Sequence, residues 1–477
     1  MKLKKLTALL LAGVMALSLV ACGGKKTEEP ATNDTNTEAP ADTDAEAPAD
    51  TDAEAPAADL EGKLVVWTLA NDLVSFADKF METYPNVEVE SVVIAPADYP
   101  TKVQSALLGG EVEPDIIVGE PQMLESMYEA GFFANLDEFG AQDYADKVVD
   151  YVWQVGQDAD GVQRAISYQI TPAGIYYRRD IAEAVWGTSD PAEIGKKFAD
   201  YATIVETGKE LKEKGYRIFA SDAEINYFSG DSAWVIDGKL NVDQGRYDYM
   251  DLCVELYQQD LTAYASQWAA PWYQAMSGPV PLLTAETQWG TDEMNIWDAE
   301  SFNAATEGYE TTEVFAFGLP AWGVLTMRDN VGETSGKWGV CAGPAYGFGG
   351  GTFIGISDLS ERKELAWEFV KFCTLTESTM EWWLEFSEGD TVSYIPTLEK
   401  HANDANEVYG GQNLYAFWLE QAEGIDYSKV TKYDKAIGDA WGNAITAVKQ
   451  GEKSKEDAVA EFYDVVAATY PELEIER

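Results

Sequence analysis

The sequence is short of histidine, cysteine and positive charge, and each shortage removes a class of chemistry. Its 477 residues hold a single histidine, His401, in the polar stretch LEKHANDANE. That leaves no material for a histidine-based triad or a histidine-rich metal site. Of four cysteines, Cys22 stands alone near the amino terminus, while Cys253, Cys341 and Cys373 sit among apolar neighbours with no CxxC spacing. An odd set of this kind fits neither a disulfide framework nor a zinc site and reads as small core residues. Lys and Arg number 33 against 83 Asp and Glu, a formal net charge of -50. Nucleic-acid affinity comes from setting Lys and Arg against phosphates, so no nucleic-acid partner is expected. The phosphate-cradling pattern GxxxxGK[ST] does not occur. The one long apolar run, Leu6 to Val20, is too short to settle as a membrane span.

That run follows Lys2, Lys4 and Lys5 and ends in Leu19-Val20-Ala21-Cys22-Gly23, so residues 1–21 read as a secretory signal peptide. The ending is similar to a bacterial lipobox, which implies diacylation of Cys22 and a membrane attachment through lipid alone. Residues 22–61 form an acidic linker. From Gly23 to Asp59 there is no aromatic residue, and the phrase EAPADTDA recurs. Such a segment cannot bury enough apolar surface to offset its ordering entropy and is expected to act as an extended tether.

The remainder, about 420 residues, exceeds what one core ordinarily holds and predicts two lobes. Lys63 to Trp67 reads as a buried strand, and Leu73, Phe76, Ala77, Phe80 and Met81 form a helical stripe behind it. Val87 to Ile94 alternates as a strand, Lys102 to Leu108 opens a helix stopped by Gly109-Gly110, and Pro114 to Val118 is a third strand followed by a helix over Met123 to Glu129. Alternation of this kind predicts a parallel α/β sheet with its ligand loops after Trp67 and Val118. GQDADGVQ, residues 156–163, reads as a hairpin turning at Asp160-Gly161. Asp158 and Asp160 lack the downstream ligands of a calcium loop. No metal and no cofactor is expected.

The order of KLVVW, a helix ending in GG, EPDIIVGEP, the hairpin, TPAGIYYRRDI, FGLPAWG (317–323), KWGVCAGP (337–344), GFGGGTFIGIS (347–357), ERKELAWEFVKFC and GEKSKEDAV resembles the family 1 extracellular solute-binding proteins. The likeness spans residues 62–477, apart from a divergent stretch at about 220–310. It implies an α/β fold of two lobes (periplasmic-binding-protein-like, type II), each a mainly parallel sheet flanked by helices, with a hinge between them. Lobe one would take 62–167 and 340–385, and lobe two 168–339 and 386–477. It also implies a monomeric, lipid-anchored receptor on the outer face of the cell membrane that closes on a small solute and hands it to the permease of an ABC importer.

The chain carries 15 Trp and 25 Tyr, with Trp268, Trp272, Trp289 and Trp297 crowded together. Aromatic faces suit the C–H surfaces of a sugar ring, and Asp, Glu, Asn and Gln suit its hydroxyls, so a carbohydrate is the expected solute. Trp322, between Pro320-Ala321 and Gly323, falls where the family places a stacking ring. Trp441, at the last long helix, faces the cleft in the relatives, and Trp272 in APWYQAM is chosen from local polarity. Trp67 lies within the first strand and reads as core. The polar candidates are Asn71 and Asp72 at the start of the first helix, Glu120 and Gln122 after the third strand, Tyr168 and Thr171 at the expected crossing between lobes, and Thr352 in the glycine-rich loop. Asp72 is equally suited to capping its helix, and Asp115 to fixing backbone. Two rival readings stand beside the receptor: a surface-attached glycoside hydrolase, which would need a spaced pair of carboxylates, and a cell-wall scaffold lipoprotein.

Overall fold

Why residues near both ends and the middle of the chain meet follows from its two sheets. The computed structural model describes residues 60–230, 232–287 and 295–476. The expected signal peptide, Cys22, the expected linker through residue 59 and Trp289 lie outside the described residues. In chain order the strands are β1 (Gly62–Thr68), β2 (Val87–Val93), β3 (Ile116–Gly119), β4 (Ile166–Ser167), β5 (Ala173–Arg178), β6 (Tyr216–Phe219), β7 (Val235–Ile236), β8 (Lys239–Leu240), β9 (Val280–Pro281), β10 (Thr311–Pro320), β11 (Trp338–Cys341) and β12 (Phe353–Ile356). The first sheet runs β2-β1-β3-β12-β4 and the second β11-β5-β10-β6, with β9 added along β10 and β7-β8 forming a separate ribbon.

Both sheets are mixed where mainly parallel ones are expected. Parallel pairing is confined to β1-β2, β1-β3 and β10-β6, while β12 is antiparallel to β3 and β4, and β5 is antiparallel to β10 and β11. Crossover helices enforce parallel strands, and β12 arrives instead on a return from the second sheet. The strand carrying Val340 and Cys341 pairs with β5. The return to the first sheet therefore starts past Cys341, and a boundary at 340 would cut a strand.

The first helix, Asp72–Thr83, turns Leu73, Phe76, Ala77 and Phe80 inward, and Phe80 meets Phe369 and Phe372 of the helix Lys363–Thr374 edge to face at 5.2 and 5.1 Å. Asp115 does fix backbone: Val65 N–H donates to one of its oxygens at 2.8 Å, Ser360 donates to the other, and Arg362 donates to both. In the second sheet β5 alternates, with Ile175 and Tyr177 on one face and Tyr176 on the other. The Tyr176 face belongs to a continuous apolar core that also contains Leu64 and Ile354 of the first sheet and Phe76 of the first helix. The described residues from Leu60 onward accordingly belong to one compact unit whose two sheets share a core at the junction. At the hairpin, Gly161 takes a φ of +78° and Asp158 accepts from Asp160 N–H, Val162 N–H and Arg164.

Candidate functional site

The glycine-rich segment 347–352, between β11 and β12, ties the two sheets together. Its Gly347 carbonyl accepts from Ala173 N–H at 2.7 Å, Gly349 N–H donates to the Thr171 carbonyl at 3.1 Å, and Thr171 Oγ1 donates to the Gly350 carbonyl at 3.3 Å. Glycine is required at the contact points, since a Cβ on Gly347 would stand 2.1 Å from the Tyr227 carbonyl oxygen and one on Gly349 2.3 Å from the Tyr227 ring. Gly350 and Gly351 take positive φ values of 74° and 109°.

On the first-sheet side, the Tyr168 hydroxyl donates to Asp72 Oδ2 at 2.7 Å and lies within hydrogen-bond reach of Thr352. Tyr168 is fully buried against Phe76 and Trp383, at 4.9 and 5.3 Å. Burial raises the Asp72 carboxyl above its ordinary value, and the Tyr168 hydrogen bond opposes that rise. Behind them lies Asp390, which accepts from Trp383 Nε1–H at 3.0 Å and Gln169 Nε2–H at 3.3 Å. Complete burial, with the Asp72 charge nearby, pushes it up to about 7.

On the second-sheet side, Trp322 stands half-buried at the start of the helix Gly323–Asn330 and donates its Nε1–H to the Gly349 carbonyl at 2.9 Å. Trp268 lies beside it, ring centroids 5.8 Å apart and planes 22° apart. Trp272 is wholly buried beneath Trp268 and donates its Nε1–H to Glu224 at 2.8 Å. Burial pushes Glu224 up to about 8, so it is largely a neutral acid near neutral pH.

Five sequence-predicted residues therefore meet around one glycine loop: Asp72, Tyr168, Thr171, Thr352 and Trp322. Glu120 and Gln122 form a pair at 2.6 Å at the head of the helix Pro121–Glu129. Burial raises Glu120, and Lys435, from a helix packed on the second lobe, pulls it back. Burial raises the Tyr227 phenol, and the charges of Glu224 and Glu120 add to the rise, which places the pair toward the same region. Three residues stand elsewhere. Asn71 is exposed and makes no side-chain capping bond. Trp272 is a layer behind the surface, because its N–H is committed to Glu224. Trp441 is 4% exposed in the second core, its ring covered by Trp234, Tyr247 and Phe462 at 6.0, 5.3 and 4.9 Å, so no face is left for a solute. Trp268, Tyr227 and Glu224 are additions from the structure. The crowding of tryptophans around residue 270 is the only sequence signal that points toward them.

Two helix-flanked sheets joined by several chain crossings, with an aromatic and carboxyl-bearing surface where they meet, define the two-lobed class of binding proteins. The chain belongs to the bacterial extracellular solute-binding proteins, whose family model matches residues 75–409. Solved structures share the fold. An extracellular solute-binding protein family 1 member is 17% identical, with a TM-score of 0.68 over 85% of this chain and 99% of that one. The galacto-N-biose-/lacto-N-biose I-binding protein of the ABC transporter from Bifidobacterium longum, in complex with lacto-N-biose, is 13% identical, with a TM-score of 0.64 over 87% and 99%. The GacH receptor of Streptomyces glaucescens, solved unliganded and with acarbose, is 16% identical, with a TM-score of 0.62 over 87% and 99%. Among the described residues no helix is long and apolar enough to cross a membrane.

Proposed function

We propose that the protein is the substrate receptor of an ABC importer, held at the outer face of the cell membrane by lipid on Cys22, and that it delivers a small carbohydrate to the permease unaltered. The reading takes the chain as a monomer without cofactor, with lobe one at 62–167 and 342–385 and lobe two at 168–341 and 386–477, the inner boundary moved from the expected 339/340 to past Cys341. The solute lies on Trp322 from one lobe and reaches Asp72, Thr352, Glu120 and Gln122 at the junction, with the buried Tyr168 and Thr171 positioning Asp72 and the glycine loop from behind. Closure requires contacts made only in the closed state, since equal affinity for both states shifts nothing.

The observation that carries the reading is the bond between the Trp322 indole and Gly349, in a loop that also holds Thr171 and Thr352. One apolar face and several hydroxyl partners are thereby brought together, which is what a sugar presents in complement. The solved neighbours bound to lacto-N-biose and acarbose support the same solute class. Thermal-shift screening of the purified protein against mono- and oligosaccharides tests it, with chromatography of the sugar afterwards. A raised melting temperature with intact sugar is expected. Released product would make the protein a hydrolase, and a panel without any shift would remove the carbohydrate reading.

A further inference from the structure

We propose that Trp268 is a second stacking ring and that the cleft takes a solute of at least two joined sugar rings, one over Trp322 and the next over Trp268. This rests on the carbohydrate reading above and adds to it the length of the guest.

Trp268 is 48% exposed, whereas Trp272, Trp338 and Trp418 are fully buried. A large ring left in water on a loop contributes nothing to the core. Its backbone takes a φ of +69°, a left-handed conformation uncommon for any residue but glycine. A glycine would make that turn without strain, so the side chain is what the position retains, and strain of this kind gathers at ligand sites.

The ring also has a defined position. Trp322 and Trp268 are nearly parallel with centroids 5.8 Å apart. A van der Waals gap of about 3.5 Å accounts for only part of that separation. The two indoles are therefore stepped sideways, and together they offer a longer apolar strip than either alone. Each is fixed from behind by protein: Trp322 by its bond to Gly349, and Trp268 by the buried Trp272 at 5.1 Å, itself held by Glu224. Gln267, the neighbour of Trp268, lies by the Tyr227 phenol with its amide nitrogen buried and unpartnered, a donor available beside the strip. One indole face matches one pyranose ring, so a stepped pair matches two in sequence. The second ring comes from the segment at about 220–310, where this chain departs most from the pattern it otherwise follows.

Titration calorimetry on the wild type, Trp268→Ala and Trp322→Ala tests this with three matched series: glucose, maltose and maltotriose; glucose, cellobiose and cellotriose; and xylose, xylobiose and xylotriose. In the series that binds, the disaccharide is expected to bind the wild type about tenfold or more tighter than the monosaccharide. Trp268→Ala should erase that gain and so weaken the disaccharide about tenfold more than the monosaccharide, while Trp322→Ala weakens both. Trp268→Gly, whose backbone suits the turn, should lose the same gain and so separates the ring from the strain. Equal wild-type affinity for one and two rings, or equal weakening of both by Trp268→Ala, would overturn the length inference and leave the carbohydrate reading standing. Failure of every series to bind the wild type would overturn the carbohydrate reading, and this inference with it.

Discussion

An indole stacks on a solute only where one of its faces is bare, and that condition separates the tryptophans of this chain. Trp322 is half-buried with its N–H engaged by Gly349, while Trp441 is enclosed by three aromatic neighbours. Trp322→Ala is expected to weaken solute binding by about 1.4 kcal/mol or more, a factor of ten in Kd, with little change in melting temperature. Trp441→Phe should do the reverse, costing about 1–3 kcal/mol of stability in urea unfolding and leaving Kd unchanged. A loss of affinity in Trp441→Phe at unchanged stability would return that ring to the cleft. The difference between the two was partly legible. Pro320-Ala321 and Gly323 put Trp322 outside regular structure, and Ile437, Trp441, Ala444 and Ile445 share the spacing of one helical face, which favours a core. Trp268 was not legible as a wall, because its left-handed backbone and its step from Trp322 are products of tertiary packing.

At the scale of elements, local pattern decided the helices and left strand direction undetermined. The stripe Leu73, Phe76, Ala77 and Phe80 sets the helix Asp72–Thr83. Strand β12 reads as a buried apolar run, and nothing in such a run says which way it is traversed; the return from the second sheet decides that. The glycine-rich segment is the element whose sequence carries most, since its glycines answer to named neighbours. Gly347→Ala forces a Cβ against the Tyr227 carbonyl oxygen at 2.1 Å. It should cost about 1–3 kcal/mol and also weaken solute binding, because Tyr227 and the loop must part. Gly438→Ala is the control: it lies inside the helix Asp434–Lys449, with nothing within 4 Å of its added Cβ. That change should stabilise by about 0.5–1 kcal/mol with binding intact. Equal behaviour of the two variants would mean that the loop adapts freely.

For the whole molecule, the decisive place is where three chain segments pass side by side between the sheets. Ser393 N–H donates to the Tyr168 carbonyl at 2.7 Å, Thr391 Oγ1 donates to the Ile170 carbonyl at 2.6 Å, and Gly349 N–H donates to the Thr171 carbonyl at 3.1 Å. Asp390 sits at this junction between Trp383 and Gln169 and its charge acts on Arg328, while complete burial and then the Asp72 charge raise it to about 7. Its ordinary value is 3.8. Between about pH 4 and 7 the unfolded chain has therefore released a proton that the folded chain keeps, so stability falls as pH rises across that window and is constant with respect to this group above it. His401, raised by Asp404 and Glu381, loses its own stabilisation in the same direction as pH increases through its folded value, and the general charge of -50 adds repulsion. Only a difference measurement isolates Asp390. Asp390→Asn keeps an acceptor for Trp383 and Gln169 while removing the titration, so it should match the wild type at pH 4 and exceed it by about 1–3 kcal/mol at pH 8 in urea unfolding. A constant offset between variant and wild type from pH 4 to 8 would mean that Asp390 holds the same charge in both states.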